Sequence, residues 1–253
     1  MEHLLNYWIS SGIGQNAQKS KGKDAGIPFW LFLNCPDLQG YSPPGKKICP
    51  YRVIGVDGGW NYACKAGLNP EFLIGDGDSL SLTTAFPQES LRFPSEKDFS
   101  DFEGVLKFLQ TRVLGKPMPR FRVTGLFGGR QDHVFFNIRV LFSLRTRNPV
   151  FLDGPDYRGL FLPPGKYEIP VKSGALFSLL FSNPPSQIHL AGALYEYSEK
   201  RTCNHSTSPL LLHPSLFLSN RTTNQPLQIS FLRKPLILFF PAEGKVGGGG
   251  PAY

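Results

Sequence analysis

Two amphipathic helical patterns lie within the first 150 residues of this 253-residue chain, and no helical period follows residue 157. That segregation excludes a helical bundle and divides the chain into two architectures. In the first part, apolar runs alternate with the helices. PFWLFLN (28–34), YRVIGVD (51–57), EFLIGD (71–76) and RFRVTGLFG (120–128) read as strands, and WNYACKAG (60–67) as a short helix ended by Gly67. Strand, short helix, strand is a βαβ unit and requires a parallel sheet. SDFEGVLKFLQTRVLG (100–115) is a helix with Ser100 and Glu103 as its capping box. Phe102, Val105, Leu106 and Leu109 share one face, and Gly115 and Pro117 stop it. QDHVFFNIRVLFSLRTR (131–147) is a second long helix, with basic residues in its last turn. The expectation is an N-terminal open, mostly parallel α/β domain over residues 1–152.

Beyond DGPDYRG (153–159), where the boundary is expected, the runs KYEIPV, ALFSLLFS, QIHLAGALYEYS, LFLSN, LQISFL and LILFFP are short and apolar or alternating. Pro, Gly, Asn and Ser separate them, as in a C-terminal antiparallel β-sandwich domain, here expected over 157–246. The content of 27 Gly, 23 Pro and 21 Phe fits such strands and turns. Residues 12–26 read as a flexible lead-in and the Gly-rich end as a flexible tail.

The four cysteines, Cys35, Cys49, Cys64 and Cys203, form no CxxC pair and no zinc-spaced cluster with histidine. They read as reduced thiols of a cytoplasmic protein. The start is a poor signal peptide, and PLILFFP is too short to span a bilayer. The net charge of +8 fits a basic surface or an anionic ligand. No module for nucleic acid is present, so neither nucleic acid nor membrane is expected as a partner.

Ligands of an open α/β sheet collect at the carboxyl ends of its strands. Asp57-Gly58-Gly59 follows one strand, and Gly75-Asp76-Gly77-Asp78 follows another. Lys97 and Asp101 precede and open the capped helix, and Arg130 and Asp132 follow a third strand. Singly, each is an ordinary turn or helix start. Together, carboxylates on one rim repel unless a cation joins them. Mg²⁺ does so because it prefers hard carboxylate oxygens shared with substrate phosphates. Glycines admit close backbone approach, helix N-termini favour anions, and Arg grips phosphate bidentately. The pattern points to metal-bound polyphosphate, although neither a Walker A sequence nor GxGxxG occurs.

DGGWN (57–61), GDGDS (75–79), EKDFSDFEGVL (96–106) and GGRQDHVFFN (129–137) resemble, in order and spacing, the motif blocks of the thiamine pyrophosphokinase family. The second half resembles that family's small β-sandwich through GLFLPPGKYEIP, GALFSLLF, GALYEYS and FLSN. The resemblance implies transfer of a pyrophosphoryl group from ATP to the thiamine hydroxyl, with Mg²⁺, giving thiamine diphosphate and AMP. It also implies a homodimer, with thiamine held between the α/β domain of one chain and the sandwich of the other. Asp76, Asp78 and Asp101 would hold metal, and Asp132 would be a further catalytic carboxylate. Either Asp101 or Asp132 would take or orient the hydroxyl proton. Asp57, Gly58, Gly59, Asn61, Lys97 and Arg130 would bind ATP, and Ser219 and Asn220 would face thiamine.

Three positions depart from the family pattern. Trp60 replaces the alanine of DGGAN, a change that packing of the helix on the sheet explains more simply than contact with nucleotide. Gly77 stands where a bulkier residue is usual, and Arg221 follows the Ser-Asn pair. An inward Arg221 would oppose a cationic thiazolium. Two other readings therefore fit the residues: a related diphosphokinase acting on another alcohol, such as a pterin, and a non-catalytic nucleotide sensor.

Overall fold

A computed structural model describes residues 28–43, 51–80, 89–112, 118–182, 188–198, 217–232 and 234–240. The lead-in, the Gly-rich end, Cys49, Cys203, Gly115 and Pro117 lie outside the described residues. The chain forms two compact units, residues 2–155 and 156–253.

In the first unit, β1 (Phe29–Phe32), β2 (Arg52–Val56), β3 (Phe72–Gly75), β4 (Glu89–Arg92), β5 (Phe121–Thr124) and β6 (Val150–Asp153) lie in the order β6-β5-β1-β2-β3-β4. Every neighbouring pair among these six is parallel. All four residues of β1, β3 and β5 are buried, as a parallel sheet covered on both faces requires.

Helix α1 (Gly59–Lys65) connects β2 to β3 as the βαβ pattern predicts. It ends in a Schellman motif: Leu68 N–H bonds Ala63 O at 3.1 Å, Gly67 N–H bonds Cys64 O at 2.9 Å, and Gly67 takes φ +77. A Cβ on Gly55 of β2 would lie 2.5 Å from Trp60 Cα, so the missing side chain lets α1 press on the sheet. Trp60 is 3% exposed there, a packing position.

Helix α2 (Asp101–Arg112) starts with Glu103 N–H bonded to Ser100 Oγ at 3.2 Å. Its expected face is the buried one, with Phe102, Val105, Leu106 and Leu109 all at 4% exposure or less. Phe108 packs on Phe72 of β3, ring centroids 5.9 Å apart. Helix α3 (Gln131–Ser143) ends earlier than the sequence suggests. Arg145 and Arg147 lie past it, so its last turn holds no basic residue.

In the second unit, β7 (Arg158–Phe161), β9 (Leu176–Phe181), β12 (Asn220–Arg221) and β14 (Pro235–Phe240) make an antiparallel sheet in the order β12-β9-β14-β7. A second antiparallel sheet runs β11 (Tyr197–Ser198), β10 (His189–Ala191), β13 (Leu227–Phe231), β8 (Gly165–Ile169). Leu227, Ile229 and Phe231 point inward and Gln228 outward, the alternation of a half-covered sheet. Of QIHLAGALYEYS, Gln187 lies outside the described residues, and the rest holds two strands around a turn at Gly192, which has φ +75. Of LFLSN, Leu216 lies outside the described residues, residues 217–219 bend, and only Asn220 is in a strand.

Candidate active site

The sheet order brings the exits of β1, β2, β3 and β4 side by side. Asp57 leaves β2 at φ +48, with its amide bonded to Ile74 O of β3 at 2.8 Å. Gly75 ends β3 at φ +153, and a Cβ there would lie 2.9 Å from Asp57 Cβ. Glycine at 75 therefore lets the two strand ends close, which draws Asp76 and Asp78 toward Asp57. One carboxylate oxygen from each of these three aspartates lies within 4.8 Å of the others. Asp57 is buried, Asp76 half-buried and Asp78 exposed. Asp57 Oδ1 is buried and has no hydrogen-bond partner among the described residues. An orphaned carboxylate oxygen beside two other carboxylates is costly unless a cation completes it. The residues therefore fit a hard divalent cation with oxygen ligands.

Glycines 58 and 59 have packing reasons of their own. A Cβ on Gly59 would fall 1.9 Å from Phe32 O, and one on Gly58 would fall 2.6 Å from the Asn34 side chain. The loop after β3 is tied to α1 by Asn61 Nδ2, which donates to Ser79 O at 3.0 Å. Asp78 N–H donates to Asp76 Oδ1 at 3.3 Å, and Ser79 Oγ donates to Asp78 Oδ1 at 2.8 Å. Gly77, at φ +84, makes that tight turn.

Lys97 comes from the segment that follows β4. Its Nζ lies 3.0 Å from Asp76 Oδ2 and 3.3 Å from Asp101 Oδ1, and its side chain is only 9% exposed. The contact with Asp76 is an aligned hydrogen bond, whereas Asp101 Oδ1 has the charge contact without that alignment. The two acids diverge accordingly. Burial alone would push the Asp76 carboxyl up, but the Lys97 hydrogen bond and charge, with the Asp78 amide, hold it below the usual range. Burial raises Asp101 against the opposing charge of Lys97, and the charges of Asp76 and Asp57 raise it further. Burial would lower the Lys97 ammonium, and its two acidic partners outweigh that and raise it.

The fourth expected cluster stands apart. Arg130 and Asp132 follow β5, which β1 separates from β2. They pair with each other, through Nε–Oδ1 at 3.1 Å and Nη2–Oδ2 at 2.5 Å, both side chains well exposed. The Arg130 hydrogen bond holds Asp132 below its ordinary range. Thus the tight acidic group contains Asp57 with Asp76 and Asp78, and Asp101 joins through Lys97.

In the second unit, Asn220 is fully buried and its amide is committed to backbone. Nδ2 donates to Tyr195 O at 2.8 Å, while Oδ1 accepts from Tyr195 N–H at 3.1 Å and Arg221 N–H at 2.8 Å. Ser219 is exposed at φ +55, its amide bonded to Ser178 Oγ at 3.0 Å. Arg221 is exposed and reaches Gly174 O at 3.4 Å. Sequence reasoning passed over Asn34, which donates from Nδ2 to Asp57 Oδ2 at 3.2 Å. It belongs to no motif block, and its only signal is its place just past β1.

The first unit is thus an open parallel α/β domain with an acidic carboxyl edge, and the second is built of antiparallel sheets. Residues 49–152 match the family model for the thiamin pyrophosphokinase catalytic domain. The chain is 26% identical over 212 residues to thiamine pyrophosphokinase of Bacillus subtilis (strain 168), covering 80% of this chain and 91% of that protein. In fold it is similar to a thiamin pyrophosphokinase family protein from Enterococcus faecalis, with TM-score 0.65 and 20% identity, over 85% of this chain and all of that one. It is likewise similar to thiamin pyrophosphokinase from Candida albicans, with TM-score 0.61 and 16% identity, over 85% and 90% of the two chains.

Proposed function

We propose that this chain is a thiamine pyrophosphokinase, transferring the pyrophosphoryl group of ATP to the thiamine hydroxyl to give thiamine diphosphate and AMP. The observation that carries this reading is the Asp57–Asp76–Asp78 group, lying inside the segment that matches the catalytic domain. The sensor and pterin readings are not favoured, since the matched family model and the curated relative are thiamine pyrophosphokinases.

Asp57, Asp76 and Asp78 would hold Mg²⁺, which when bound would neutralise charge on the polyphosphate. Lys97, held at the same edge, offers its ammonium to the charge that develops as AMP departs. The exposed Arg130, with Asn61 and the 57–59 turn, would hold ATP, and Arg130 exchanges Asp132 for phosphate. Of the two candidate proton acceptors, Asp101 is better suited. Its raised carboxyl binds a proton more readily than Asp132, whose pairing with Arg130 lowers it.

The α/β unit would thus serve ATP and Mg²⁺, and the sandwich would serve thiamine in a cytoplasmic homodimer. Asn220 shapes the Tyr195 turn beside the exposed Ser219. Among the described residues no helix is long and apolar enough to cross a membrane. The test is incubation with thiamine and Mg-ATP, followed by analysis of both products. AMP and thiamine diphosphate in equal amounts support the proposal. ADP with thiamine monophosphate, or turnover of a pterin alcohol in place of thiamine, refutes it.

A further inference from the structure

Asp57 combines three features that need an outside support. Its φ is +48, a left-handed conformation uncommon for a residue with a side chain. Its carboxylate is buried, with the residue 7% exposed. One oxygen, Oδ1, has no hydrogen-bond partner among the described residues, and the carboxylate belongs to the three-aspartate group. A carboxylate can rotate about its last torsion, so which oxygen enters that group depends on what holds the other. The group that holds Oδ2 is the Asn34 amide, at 3.2 Å.

Asn34 lies outside the matched segment of residues 49–152. It is placed by β1, the strand next to β2, and Leu33 N–H extends the β1 ladder to Thr124 O at 3.0 Å. Gly58 leaves room for it, since any Cβ at 58 would come within 2.6 Å of the Asn34 Cγ. Donor, acceptor and the space between them thus converge from three chain positions on one carboxylate. An ionised carboxylate accepts hydrogen bonds and donates none, so the contacting Asn34 atom must be its N–H.

We infer that Asn34 is a positioning residue: it binds Asp57 Oδ2 and thereby presents Asp57 Oδ1 to a divalent cation shared with Asp76 and Asp78. This rests on the cation-binding reading of the three aspartates and adds the group that orients one of them. Outer partners that orient a metal-binding carboxylate commonly change affinity by about 10- to 100-fold when removed.

The test is a Mn²⁺ titration, followed by electron paramagnetic resonance of free Mn²⁺, without nucleotide and again with ATP. Asn34→Leu keeps side-chain bulk and removes the donor, and Asn34→Ala removes both. The inference expects each to weaken Mn²⁺ binding by about tenfold or more. In a double-mutant cycle, Asn34→Leu added to Asp57→Asn has little further effect, because the partner is already changed. Wild-type affinity in Asn34→Leu, or full additivity in the cycle, overturns the inference while leaving the cation site standing. Absence of Mn²⁺ binding in the wild type, with and without ATP, overturns the cation site and Asn34's role together. If both Asn34 variants only lower the melting temperature and keep Mn²⁺ affinity, Asn34 is a packing residue and the inference fails.

Discussion

The Lys97 ammonium stands 3.0 Å from Asp76 Oδ2, with only 9% and 17% of the two side chains exposed. A pair so little hydrated fixes the charge of the catalytic edge before any substrate arrives. Asp76 is held below its usual range, so its contribution to stability is present above the unfolded value of about 3.9 and is lost as pH falls through the lower folded value. Lys97 is held above its usual range. Its contribution is complete below about 10.4 and is lost as pH rises through the higher folded value. Lys97→Met is therefore less stable than wild type at pH 7, and the gap narrows toward pH 3.5 as Asp76 and Asp101 take up protons. Urea midpoints at the two pH values check this; a gap of constant size contradicts it.

The pH dependence of turnover follows from Asp101. Its carboxyl is raised by burial, with Lys97 opposing. As proton acceptor it works only when ionised, so kcat/KM rises with pH along a limb above the ordinary aspartate range. Lys97→Met removes the opposing charge and moves that limb to higher pH. Asp101→Asn lowers kcat by about 10²- to 10⁴-fold. A limb that stays in place in Lys97→Met takes Asp101 out of that role.

Gly75→Ala tests how the edge is assembled. Its φ of +153 and the 2.9 Å approach to Asp57 Cβ leave no room for a methyl group. The variant loses about 1–3 kcal/mol in urea denaturation, and Mg²⁺ activation weakens as Asp57 and Asp76 separate. Unchanged stability and unchanged Mg²⁺ dependence together contradict this account of the edge.

Arg130 behaves differently because it is well exposed and pairs only locally. Arg130→Ala keeps the wild-type melting temperature and raises KM for ATP about tenfold. A large fall in melting temperature at unchanged KM marks a structural residue instead.

A second buried network serves the fold. Arg122 and Asp153, each 1% exposed, form an ion pair, and Arg122 lies 4.0 Å above the Trp30 ring. Thr124 Oγ1 donates to Asp153 Oδ2 at 3.0 Å and accepts from Trp30 Nε1 at 2.8 Å, and the Tyr41 hydroxyl donates to Asp153 Oδ2 at 3.1 Å. Arg122→Met strands the Asp153 charge and costs about 3–5 kcal/mol in chemical denaturation. A loss below 1 kcal/mol contradicts a dry pair.

The sequence exposed those parts of the molecule that have a period or a motif. The face of α2 was legible because Phe102, Val105, Leu106 and Leu109 repeat at helical spacing, and the end of α1 because Gly67 can take positive φ. Strand β4, with sequence ESLR, was hidden because it has only one apolar residue, and β6 because VFLD ran into the expected linker. The partner of Arg122 was not legible because a buried cation announces its need without saying which strand meets it. The acids of the edge were visible as residue types. Their grouping, with Asp57 in it and Arg130–Asp132 beyond β1, depended on a strand order that spacing does not encode. Asn34 escaped for the same reason: its contact with Asp57 exists only because β1 lies beside β2.

The central claim is that this acidic edge clamps a divalent ion against a polyphosphate. Crystals grown with Mn²⁺ and a non-hydrolysable ATP analogue test it through the anomalous signal of the metal. The account predicts a peak bonded to Asp57, Asp76 and Asp78 at about 2.1–2.3 Å and shared with phosphate oxygens. A nucleotide bound elsewhere, or those three carboxylates turned away from any metal, would contradict it.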